Sequence, residues 1–162
     1  MSLPRIVLEP LVRAALEEDF GGAGDVTSVA CIDGAATAKA EMRARTDGVL
    51  AGVGCAALAF ELSDPELDIA FQTDGGCAVK PGQTVLSVSG NARAILAAER
   101  TALNFVTHLS GVATLTRAYV DAVAGTGVAI APTRKTLPLL RSVQKAAVVA
   151  GGGAPHRFGL GD

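Results

Sequence analysis

Between residues 37 and 46 the chain alternates cleanly: Ala38, Ala40, Met42 and Ala44 fall on one side, Lys39, Glu41, Arg43 and Arg45 on the other. A period of two is a β-strand with one wet face. A strand wet on one side belongs in an antiparallel sheet whose other side is packed. Further strand candidates lie at 67–73 and 84–89, set off by glycines and by the turn Lys80-Pro81-Gly82. Residues 10–19 read as a short amphipathic helix with Leu11, Val12, Ala15 and Leu16 on one side, ended by Gly21 and Gly22. A short apolar stretch at 49–53 leads into a second helix at 55–62. The first section is expected to be α+β with an antiparallel sheet.

Asn91 is placed to cap a long helical segment over 92–109. Ser110-Gly111 is expected to interrupt it before it resumes over 112–124 and stops at Gly125-Thr126-Gly127. Residues 128–131 form a short apolar strand, and Pro138 stands near the start of a helix that runs to Ala150. Gly151-Gly152-Gly153 then turns the chain into a last extended piece at 156–160. Helix, strand, helix, strand is the signature of a parallel α/β unit. A whole α/β barrel needs roughly 200 residues of its own. The expected architecture is an α+β N-terminal domain over 1–110, followed over 111–162 by the first βα units of an incomplete α/β barrel.

With 49% hydrophobic residues and 19% charged, a core is within reach, and with few aromatics it must be packed from small and aliphatic side chains. A net charge of −2 argues against a general nucleic-acid or anionic-membrane surface, so any cationic function must be local. Cys31, Cys55 and Cys77 form no C-x-x-C and read as buried reduced thiols. Met1-Ser2-Leu3-Pro4-Arg5 opens no signal-peptide core, and no apolar run reaches a membrane span. A cytoplasmic enzyme or enzyme subunit is expected.

Local cationic function has three candidate seats. Thr133-Arg134-Lys135-Thr136 directly follows a strand, at the carboxyl end where parallel α/β folds bind ligands. There Arg134 can fork onto a carboxylate or phosphate while Lys135 adds a point charge. The bland alternative is a solvated basic turn. Gly151-Gly152-Gly153 is either a backbone nest for an anion or a helix C-cap, and His156-Arg157 follows it. Arg100, Asn104 and His108 stand at i, i+4 and i+8 on one helical face, with Leu96, Leu103, Val106 and Leu109 able to form the buried side. Such a stripe is either the wet side of a helix or one wall of a cavity. No H-x-x-x-H, C-x-x-C, G-x-S-x-G or phosphate-binding P-loop is present, so no metal site is expected in this chain.

Taken jointly, Ala98-Glu99-Arg100-Thr101-Ala102-Leu103-Asn104, His108-Leu109-Ser110-Gly111-Val112-Ala113-Thr114, Thr133-Arg134-Lys135-Thr136, and Gly151-Gly152-Gly153 with His156-Arg157-Phe158-Gly159-Leu160 resemble one family. It is quinolinate phosphoribosyltransferase, the carboxylating nicotinate-nucleotide pyrophosphorylases. The likeness extends back to Glu18-Asp19 and Gly24-Asp25-Val26-Thr27-Ser28. It implies an N-terminal α/β sandwich, an open α/β barrel, and homodimers in which one subunit's sandwich faces the other's barrel. The implied reaction joins quinolinate to the phosphoribosyl group of phosphoribosyl pyrophosphate, with Mg²⁺, and loses CO₂ in NAD biosynthesis. By that resemblance Arg134, Lys135, His156 and Arg157 hold the pyridine dicarboxylate, Arg134 and Lys135 also serve catalysis, and Arg100 reaches in from a partner subunit. The metal and ribose ligands would lie beyond Asp162. Pro132 and Pro155 stand where the family has Asp and Asn, Leu139 replaces a Gly, and Ala146 and Val149 replace Tyr and Arg. These departures support the alternative of a non-catalytic or altered-substrate relative acting as a binding or assembly module. Residues 74–86 also resemble the strand-turn of biotinyl and lipoyl carrier domains, but no hairpin lysine flanked by Asp/Met and Ala/Met is there to take the cofactor.

Overall fold

The computed structural model describes residues 3–162; Met1 and Ser2, part of the stretch read for a leader, lie outside the described residues. Helix α1 (Arg5–Phe20) begins five residues before the Pro10 start expected from the sequence. Pro4 supplies the start instead: its carbonyl accepts from the Val7 and Leu8 amides, at 2.9 and 3.3 Å. Pro10 is tolerated inside the helix, and Leu8, Val12 and Leu16 form the buried stripe at four-residue spacing. Helix α2 (Val26–Cys31) is capped at one end by the Asp25 carboxylate, which accepts from the Ser28 amide at 2.9 Å. Arg93 closes the other end, donating to the Val29 and Ile32 carbonyls.

Strand β1 (Thr37–Arg43) pairs antiparallel with β5 (Thr84–Asn91), which also pairs antiparallel with β3 (Asp68–Phe71). The sheet order β1-β5-β3 puts Val85, Leu86 and Val88 of the central strand in the core. A second ladder, β2 (Gly48–Val49) with β4 (Ala78–Val79), was not expected from the sequence because each strand is two residues long. Between them α3 (Val53–Ser63) starts two residues earlier than its apolar run suggests, on Gly52 at φ +81°. A Cβ at Gly52 would stand 2.8 Å from Leu109 Cδ1 and 2.9 Å from the Phe105 carbonyl, so only glycine fits.

Helix α4 (Ala92–Ala122) runs 31 residues without a break, and the expected interruption at Ser110-Gly111 does not occur. Asn91 caps it as expected, its Oδ1 accepting from the Ala94 amide at 3.1 Å while its Nδ2 donates to Gly34. Ser110 stays helical because its hydroxyl is used elsewhere, accepting from the Ala51 amide at 3.0 Å and donating to the Ala51 carbonyl at 3.2 Å. One turn on, Thr114 Oγ1 accepts from the Val49 amide at 2.9 Å. The buried side is Ile95, Ala98, Ala102, Phe105, Val106 and Leu109, and Leu96, expected there, is 44% exposed. Alanines with zero exposure on both α3 (Ala56, Ala59) and α4 (Ala98, Ala102) let the two helices approach closely. A core poor in aromatics is thereby packed by proximity. Of the three cysteines expected in it, Cys55 on α3 is buried, whereas Cys31 and Cys77 are exposed.

Helix α5 (Arg141–Ala150) begins after Leu139, whose φ of +64° turns the chain, so Pro138 precedes the helix by one turn. Neither expected barrel strand forms: residues 128–131 and 156–160 carry no ladder. A single parallel-type bond joins them, Ala154 N–H to the Ile130 carbonyl at 2.7 Å. In a parallel ladder the next donor would be residue 132, toward the Ala154 carbonyl. Residue 132 is proline and has no N–H, so the ladder stops after one rung.

Gly111 lies mid-helix, exposed, with open space where a Cβ would stand. If α4 is continuous, Gly111→Ala should stabilise the chain by about 0.5–1 kcal/mol in denaturant unfolding. Gly52→Ala should destabilise it by more than about 1 kcal/mol. A destabilised Gly111→Ala would restore the break at that position.

Candidate functional site

Three segments meet around α5. The 133–136 loop is tightly folded: Thr133 Oγ1 accepts from the Lys135 amide at 3.1 Å, and the Arg134 carbonyl accepts from the Thr136 amide at 3.0 Å. Arg134 is half-buried and its Nε is buried without a hydrogen-bond partner, while Lys135 points to solvent. His156 and Arg157 lie exposed on the 154–160 segment. Among the described residues, neither Arg134, Lys135 nor Arg157 has a carboxylate within ion-pair distance, whereas Arg5, Arg13, Arg43, Lys80 and Arg117 all do.

Two residues that sequence reasoning passed over bring the loops together. Arg141 Nε donates to Thr136 Oγ1 at 3.3 Å, and its Nη1 donates to the Phe158 carbonyl at 3.1 Å. One guanidinium therefore touches the residue after Lys135 and the residue after Arg157. One turn along α5, Lys145 is 3% exposed. Its Nζ donates to the His156 carbonyl at 3.2 Å and sits 5.5 Å from the Phe158 ring centroid. The signal was present as two cations four residues apart on a helix otherwise rich in Ala and Val. It was hidden by the louder Arg-Lys and His-Arg pairs.

The triple glycine is a helix terminator. Gly151, Gly152 and Gly153 donate to the Ala147, Val149 and Val148 carbonyls, each at 2.9 Å, which is a Schellman closure with Gly152 at φ +94°. With its three N–H groups engaged, the run is no anion nest. Gly151 also packs against α4, where a Cβ would stand 2.4 Å from the Ala113 carbonyl.

Arg100 is not brought to these loops within one chain. It is exposed on α4, eight residues or about 12 Å of helix rise from His108. His108 itself reaches α5: its Nε2 stands 2.8 Å from Gln144 Nε2, while Gln144 Oε1 accepts from the Leu137 amide at 3.1 Å. With the Gln144 amide nitrogen as donor, His108 Nε2 is the acceptor of this contact. Two cavities, of about 440 and 330 Å³, lie elsewhere. The first is lined mainly by apolar residues including Ala146, the second by Glu18, Asp19, Asn104 and His108, and none of the five candidate residues lines either. Lys135, His156 and Arg157 are instead open to solvent, and Arg134 is half-buried. Asp162 lies on the same segment as His156 and Arg157. Bonds from the Gly159 and Phe158 amides, with a smaller contribution from the Lys145 charge, hold its carboxyl below the ordinary range.

Comparison with known proteins gives this arrangement its lineage. Residues 25–110 match the family described as quinolinate phosphoribosyl transferase, N-terminal domain, and residues 112–162 match its C-terminal domain. The nicotinate-nucleotide pyrophosphorylase (carboxylating) of Mycobacterium leprae is 44% identical over 153 residues, covering 93% of this chain and 54% of that protein. The chloroplastic enzyme of the same name from Arabidopsis thaliana is 44% identical over 161 residues, 99% of this chain and 46% of its own. The crystal structure of NadC from Streptococcus pyogenes superposes with a TM-score of 0.95 at 38% identity, over 100% of this chain and 57% of that one. The chain thus spans about half the length of the relatives it matches.

The Asp162 clamp has a signed pH dependence. Its carboxyl is depressed in the folded chain, so its contribution is complete above the unfolded carboxylate value and is lost as pH falls through the folded one. Protection factors of the Phe158 and Gly159 amides should therefore drop on acidification below the ordinary carboxylate range. Asp162→Ala should abolish that drop by lowering them at every pH.

Proposed function

The chain belongs to the quinolinate phosphoribosyltransferase family, and from that premise we propose that its loop cations form the pyridine-dicarboxylate half of a phosphoribosyl-transfer site. The full reaction would transfer the phosphoribosyl group of phosphoribosyl pyrophosphate to quinolinate, releasing pyrophosphate and CO₂ and giving nicotinate mononucleotide. The observation that supports this reading is the Arg141 guanidinium, bound both to Thr136, next to Arg134-Lys135, and to Phe158, next to His156-Arg157. Cations grouped without carboxylate partners suit a dianion. Arg134 and Arg157 would fork onto the two carboxylates, and Lys135 and His156 would add point charge and a donor.

In the chemistry so assigned, the ring nitrogen attacks the anomeric carbon and pyrophosphate leaves with the bonding pair. The carboxylate next to that nitrogen then departs as CO₂, its electron pair staying on the ring carbon, which takes a proton. Fixed positive charge from Arg134 and Lys135 would stabilise the negative charge that builds there. Among the described residues no group of three or more His, Cys, Asp or Glu could hold a metal, and on this reading Mg²⁺ would enter with the donor's phosphates. Arg100 would complete the site from a partner subunit in a homodimer, because its own chain leaves it remote from the loops. The division into a sandwich domain at 1–110 and a barrel-type unit at 111–162 belongs to the same reading. A cytoplasmic location does too; among the described residues no helix is long and apolar enough to cross a membrane.

One observation favours the altered-substrate alternative. Pro132, by ending the ladder just before the 133–136 loop, leaves that loop free of the strand that would otherwise aim it.

Calorimetric titration with quinolinate and nicotinate decides between them. Quinolinate should bind more tightly than nicotinate, and Arg134→Ala or Arg157→Ala should each weaken it about tenfold to a hundredfold, as loss of a charge-assisted contact of roughly 1.5–3 kcal/mol requires. Equal binding by wild type and the double variant, or none by either, would remove the site.

A further inference from the structure

We propose that Lys145 and Arg141 are positioning residues. Set one turn apart on α5, they fix the backbone of residues 156–158 against the 133–136 loop and so set the spacing of Arg134 and Lys135 from His156 and Arg157. This rests on the reading of those cations as a carboxylate site.

The argument begins with Lys145. A lysine is rarely buried, because removing an ammonium from water is costly. A Met or Leu would fill the same volume, and apolar replacements of buried charge are often neutral or stabilising. What the ammonium gains here is directional: the His156 carbonyl at 3.2 Å and the face of Phe158 at 5.5 Å. Phe158 lies over the cation with its outer side in solvent. Arg141 adds the second tie, with two nitrogens of one rigid plane bound to different loops. Neither cation has an ion-pair partner among the described residues.

The tethered segment has little else to locate it. Among the described residues, beyond the single Ala154–Ile130 rung its amides bond only to the Asp162 carboxylate, on the same segment. The α5 tethers therefore replace the missing ladder. Their donors point at backbone carbonyls, so the side chains of His156 and Arg157 stay free for a ligand.

The test uses the full chain and two readouts. Lys145→Met should speed amide exchange at Phe158 and Gly159 by about tenfold or more while α4 amides keep their protection. It should also weaken quinolinate binding by about tenfold, and Lys145→Arg, which keeps a charged donor, should restore part of both losses. Arg157→Ala should lose binding without changing exchange at Gly159, which separates a ligand contact from a tether. Should Lys145→Met unfold the chain, Arg141→Gln decides, with the same local acceleration expected. Unchanged exchange at Phe158 and Gly159 in a folded variant overturns the proposal. If the wild type binds no quinolinate, the carboxylate-site reading fails and the exchange result alone still judges the tethers.

Discussion

The unbroken run of α4 is the constraint from which the rest of this structure follows. One face is buried through Ile95, Ala98, Ala102, Phe105 and Leu109, and α3 is drawn against it by alanines on both helices. Beyond Leu109 the same helix continues under α5, where Ala113 and Thr116 receive Gly151. Had it broken at Ser110-Gly111, the two halves of the chain would be joined by a hinge. Instead the Ser110 and Thr114 hydroxyls bind the backbone at 49–51 at the very place where a break was expected. Helix, β2 ladder and α3 N-terminus are thereby tied at one point.

That rigidity matters because the loops above α5 have so little structure of their own. A site that holds a small dianion needs its cations placed to within a fraction of an ångström. Loops without ladders do not achieve that by backbone bonding. Here placement passes from α4 to α5 through Gly151, and from α5 to the loops through Arg141 and Lys145. His108 and Gln144 add a lateral tie that reaches the Leu137 amide. The Arg100-Asn104-His108 stripe is then more than the wet side of a helix at its His108 end. At its Arg100 end it remains solvent-facing within one chain.

The sequence was legible where a pattern had a single physical meaning. Strict alternation at 37–46 gave β1, Asn91 gave the α4 cap, and the joint motifs gave the family. It misled where a residue has two uses. Pro10 can start a helix or sit inside one, and the true start was set by Pro4. Glycine at 111 can break a helix, yet it was carried through by neighbouring side-chain bonds that no local pattern reveals. Three glycines can cradle an anion, but these terminate α5 and allow its close approach to α4. Lys145 was missed because its meaning lies in a carbonyl eleven residues away.

The prolines show how a single atom can shift the load from backbone to side chain. A parallel ladder after the Ala154–Ile130 rung needs a donor at residue 132, and proline withholds it. Backbone bonding would have set the 133–136 and 156–158 loops at fixed separation regardless of side chains. Without it, separation is set by the reach of one guanidinium and one ammonium, both of which can adjust by rotamer. On the proposed reading, a site built this way would tolerate wider variation in the anion it encloses, at some cost in how sharply it would distinguish one dicarboxylate from another. The chemistry of the patch is therefore governed by α5 as much as by the Arg-Lys and His-Arg pairs that first draw the eye.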